Sequence, residues 1–65
     1  MEKSEEEKMY SQIAESVRAE LIRAAIEGYE GGATDGLCPS GATEAAIAAM
    51  QRVDLSTIIK RVLSR

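Results

Sequence analysis

The sequence predicts an all-α protein of three helices, one long and N-terminal, followed by a glycine-rich loop and two shorter helices packed back on the first. Three observations carry this expectation. Apolar residues recur at three- and four-residue steps on either side of a single interruption. That interruption, residues 28–41, holds all five glycines, the one proline and the one cysteine. The apolar residues are Ala, Ile, Leu, Val and Met with two tyrosines and neither Phe nor Trp, a palette for thin, closely packed helices.

The first helix is expected from about residue 5 to 27. Ser4 followed by Glu7 fits a capping box, in which hydroxyl and carboxylate satisfy free N–H groups at a helix start. Acids in the first turn suit the positive end of the helix dipole, and residues 1–4 are expected to fray. Tyr10, Ile13, Ala14, Val17, Leu21, Ala24 and Ala25 form one stripe, which Ile22, Ile26 and Tyr29 widen along one side. Glu15 with Arg18, and Glu20 with Arg23, have the spacing of weak helical ion pairs. A helix of this length is a rod of roughly 35 Å, which cannot bury its stripe against itself.

Gly28 is expected to end that helix in the left-handed conformation glycine tolerates. Gly31-Gly32 and Asp35-Gly36 are turn signals, with Leu37 as the loop's apolar anchor. The second helix has two candidate starts, Pro39 at the first helical position with Cys38 as cap, or Ser40 as cap. Ala42, Ala45, Ala46, Ala49, Met50 and Val53 then form a stripe of mostly small side chains that lets backbones approach closely, with Ile47 off it. Asp54 reads as a break and a new cap. Leu55, Ile58, Ile59, Val62 and Leu63 follow as the clearest amphipathic pattern in the chain, with Lys60 and Arg61 toward the end the dipole favours. The second and third helices together match the first in length, so each can cover one half of it.

Sixty-five residues form one domain at most. A core this small seldom supplies more than about 3–5 kcal/mol without disulfides, metal or association. One cysteine and no histidine exclude an internal disulfide and a structural zinc set. Association with another copy or a larger partner is the reinforcement left, and no cofactor is expected. A net charge of −3 argues against nonspecific binding to nucleic acid or anionic lipid. No apolar run approaches a membrane span, and the acidic start is unlike a secretory signal, so the expected location is cytoplasmic.

The expected role is non-enzymatic: a homo-oligomer or an accessory subunit of a larger, bacterial-type assembly. Tyr10, Ile13, Val17 and Leu21, with Ile58, Ile59 and Val62, are the expected packing and association face. Two alternatives come from other classes. Cys38, at a helix start where free N–H groups favour thiolate, suits redox sensing or sulfur transfer. It has no second cysteine to resolve a disulfide and no histidine as base. Residues 50–63 have the outline of a helix-turn-helix, which would suit a small DNA-binding regulator using the C-terminal helix, but the turn glycine is missing and only Ser56 and Thr57 stand where bases are read. The glycine stretch matches neither the Walker nor the dinucleotide spacing, and Glu30 and Asp35 oppose a bound phosphate. The spacing of Glu30, Asp35 and Glu44 is not that of a calcium loop.

Overall fold

The computed structural model describes residues 4–64, so most of the N-terminal stretch expected to fray lies outside the described residues. They form three helices and no strand: α1 (Glu5–Thr34), α2 (Pro39–Gln51) and α3 (Leu55–Leu63). The all-α expectation holds, and α1 packs with both shorter helices. The chain falls into two compact units, one holding α1 up to Ala19 together with α3, the other spanning Glu20–Val53.

At the start of α1 the Glu7 N–H donates to Ser4 Oγ at 3.1 Å, the Ser4 half of the expected box. Both expected ion pairs are present, Arg18–Glu15 at 4.0 Å and Arg23–Glu20 at 2.7 Å. The end of the helix differs from the expectation. It does not stop at Gly28 but runs six residues further, to Thr34. The interruption shrinks to residues 35–38.

Two local causes set this end. Gly36, at φ 91°, is the only described residue with positive φ. Its N–H donates to Ala33 O, and the Leu37 N–H donates to Gly32 O, both at 3.0 Å. This is the Schellman arrangement, with glycine at the left-handed position and an apolar residue after it. Leu37 supplies the matching contact, since its Cδ1 lies 3.2 Å from where a Cβ on Gly32 would stand.

In the Glu20–Val53 unit the core is made of small residues. Ala24, Gly32, Ala42 and Ala46 are its buried members. Helix propensity alone disfavours carrying α1 through Gly28, Gly31 and Gly32, at roughly 1 kcal/mol each relative to alanine. Close approach of α2 offsets that cost at two of the three. A Cβ on Gly28 would lie 2.8 Å from Ala45 O and 2.9 Å from Ala46 Cα. One on Gly32 would lie 3.2 Å from Ala42 Cα. The small-residue stripe of α2 therefore meets a small-residue ridge on α1. Gly31 has open space around it.

Cys38 caps α2 with extended backbone and no side-chain hydrogen bond, and Pro39 takes the first helical position. Of the two expected registers this is the first. It leaves the Cys38 carbonyl accepting from the Ala42 N–H at 2.8 Å.

The other unit pairs the first half of α1 with α3. Ile58 and Val62 are its buried apolar residues, 3% and 4% exposed. Ser11, Ile13, Ser16 and Val17 are the half-buried residues of α1 here. Asp54 caps α3 as expected. Its Oδ1 accepts from the Thr57 N–H at 3.2 Å and its Oδ2 from Thr57 Oγ1 at 2.9 Å. These bonds, the hydroxyl first, hold the Asp54 carboxyl below its ordinary value of 3.8. The sign follows from linkage. The cap is at full strength above the ordinary value and is lost as pH falls through the lowered one. Asp54→Asn keeps a capping oxygen but does not titrate. The melting-temperature advantage of wild type over Asp54→Asn should therefore shrink as pH falls from about 4 to 2. An advantage independent of pH across that range would refute the capping role of the carboxylate.

Candidate functional site

In the Glu20–Val53 unit α1 carries two rows of side chains. Ala24, Gly28 and Gly32 step by four along the row that meets α2. The side chains of Ile22, Ile26 and Tyr29 fall well round the helix from that row, because residues at a four- or three-residue step share a face. They are 54%, 52% and 41% exposed. Ala33 continues the row and is exposed as well. Arg23 flanks it, bonded to Glu20 at 2.7 Å and Glu27 at 2.9 Å. Both carboxylates keep the guanidinium charged, Glu20 foremost. Glu30, two turns beyond Arg23, is exposed on the same flank. The outcome is an apolar row edged by charge.

The unit containing α3 repeats the theme. The apolar face of α3 is wider than the contact it makes. Ile58 and Val62 are buried, whereas Leu55, Ile59 and Leu63, stepping by four along the neighbouring row, are exposed. On α1, Met9 and Tyr10 are exposed too. The Tyr10 hydroxyl donates to Glu6 Oε1 at 2.5 Å, and this bond to a carboxylate raises the Tyr10 pKa above its ordinary value.

The seven residues expected as a packing and association face thus have three fates. Ile58 and Val62 are consumed inside the unit. Ile13, Val17 and Leu21 are half-buried. Tyr10 and Ile59 remain exposed. The row Ile22, Ile26 and Tyr29 was expected only as a widening of the main stripe. Its separate identity was signalled by glycine: a second row packs elsewhere because Gly28 and Gly32, with no side chain, are the residues a neighbouring backbone can approach.

Cys38 is exposed and free. It takes part in the α2 start through its carbonyl, and its side chain makes no capping hydrogen bond. Gly28, Gly31 and Gly32, expected in a loop, are helical, so their N–H groups are spent within α1 and offer no phosphate cradle. Among the described residues no three His, Cys, Asp or Glu side chains converge as a metal site. No described helix is long and apolar enough to cross a membrane. No protein-family model, curated protein or solved structure matches this chain.

Proposed function

We propose that this chain is a small non-enzymatic interaction protein whose open apolar rows are covered by another protein chain, a second copy or a larger assembly. One observation carries the reading. Among the described residues ten large apolar side chains are exposed, while only Ile58 and Val62 are buried. A buried large side chain stabilises by about 1.5–3 kcal/mol, so ten that keep 37–59% of their surface in solvent leave much of that stabilisation unrealised.

Light scattering and thermal melts over a hundredfold concentration range, with reductant present, test the proposal alongside binding of an apolar reporter dye. Self-association predicts a mass above that of one chain and a melting temperature that rises with concentration. A monomer that binds the dye strongly fits the larger-assembly form. A monomer with constant melting temperature and no dye binding overturns the proposal, because its surface then lacks an accessible apolar patch.

A further inference from the structure

We infer that the partner covering the exposed row of α1 is a second copy of this chain, docked antiparallel about a two-fold axis through Ile22, Ile26, Tyr29 and Ala33. The inference rests on the interaction reading above and names its partner. It starts from spacing. These four residues step by four, three and four, the alternation of the apolar positions of a heptad, which places them in one straight seam. All four are exposed, so the seam is free to receive another helix.

Size and charge select a copy of the same seam, running the other way. In antiparallel pairing Ile26 faces Tyr29 of the second copy and Ile22 faces Ala33, each contact occurring twice by symmetry. Two large residues fill the middle layers. In the outer layers Ile22 meets Ala33, so no layer sets alanine against alanine, as a parallel pair would at Ala33. Arg23 and Glu30 lie seven residues apart on the same flank. Antiparallel helices bring like flanks together, so Arg23 of each chain meets Glu30 of the other. A parallel pair would bring the opposite flank, where Ala25 and Gly32 stand, against Arg23 and Glu30, with no ion pair formed. Arg23 already holds Glu20 and Glu27, but a guanidinium has five N–H donors and accommodates a third carboxylate. On the other flank Ala25 is small and half-buried, and Gly32 is already buried against α2, so no charged group stands there to oppose the pairing.

Sedimentation equilibrium of the intact chain at low salt, from micromolar to near-millimolar concentration, tests this on four proteins. Wild type is expected to pass from the mass of one chain to that of two. Ile26→Glu places a carboxylate in the middle layer and should raise the dissociation constant by at least about thirtyfold. Its helix content should be unchanged, since Ile26 is half-exposed in the single chain. Arg23→Glu sets like charges face to face and should weaken the pair, while adding Glu30→Arg to it should restore association. That rescue depends on antiparallel pairing and would not follow from a general loss of stability. A wild type that stays a single chain overturns the inference yet leaves a larger partner open. A dimer indifferent to Ile26→Glu, or a double swap that fails to rescue, also overturns it, and self-association then uses another surface.

Discussion

Replacing Ile58 with alanine is expected to cost about 2–5 kcal/mol, the usual range for truncating a buried isoleucine. A domain of this size has only about 3–5 kcal/mol to lose. The variant should therefore sit at or below the folding threshold at room temperature. Ile59, its neighbour in sequence, is the control. It is 37% exposed, so Ile59→Ala should cost less than about 1 kcal/mol. The two changes remove the same atoms from adjacent positions of one helix and alter intrinsic propensity equally. Circular dichroism melts, run at a single low concentration so that association does not contribute, give the comparison. Hydrogen exchange adds location: in Ile58→Ala the amides of α3 should lose protection first. Equal melting of the two variants would mean that α3 is not docked through Ile58 and Val62.

That pair of neighbours also shows what the sequence could and could not convey. Caps and turns are local, so Ser4 and Asp54 announced two helix starts through side-chain chemistry alone, while the start of α2 was left between Pro39 and a Ser40 cap. The apolar face of α3 was legible too, because Leu55, Ile58, Ile59, Val62 and Leu63 follow helical spacing. Its division was not. Nothing in the pattern says that Ile58 and Val62 face α1 while Leu55, Ile59 and Leu63 do not, because an amphipathic face states its width and leaves open how much a neighbour covers. The end of α1 was ambiguous for another reason. Gly28 and Gly36 both qualify as the glycine that stops a helix. Gly36 prevails because Leu37 completes its cap and because Gly28, kept helical, lets α2 come close. The cap is local, but the second reason is tertiary packing between residues 17 or more positions apart, to which local propensity is blind. The exposed seam of α1 was hidden by the same misplacement. Once Gly28 and Gly32 are helical, the row that meets α2 is theirs, and Ile22, Ile26 and Tyr29 become a row of their own.

The glycines of α1 supply the second large effect, and its sign runs against propensity. Alanine in place of glycine inside a helix ordinarily gains about 1 kcal/mol. Gly31→Ala should show that gain, because a Cβ there meets nothing within 4 Å. The melting temperature should rise by roughly 4–8 °C per kcal/mol gained. Gly28→Ala should do the reverse. Its Cβ would press on Ala45 O and Ala46 Cα at 2.8 and 2.9 Å, and both are backbone atoms that cannot swing aside. Forcing the helices apart costs about 1–3 kcal/mol, which exceeds the propensity gain over most of that range. Gly32→Ala falls between the two. Leu37 can yield there, but Ala42 Cα, at 3.2 Å, cannot. The expected order of stability is Gly31→Ala, wild type, Gly32→Ala, Gly28→Ala, read from thermal melts at one concentration. If Gly28→Ala proved as stable as Gly31→Ala, the close crossing of α1 and α2 would be wrong, and the extension of α1 to Thr34 would lose its physical cause.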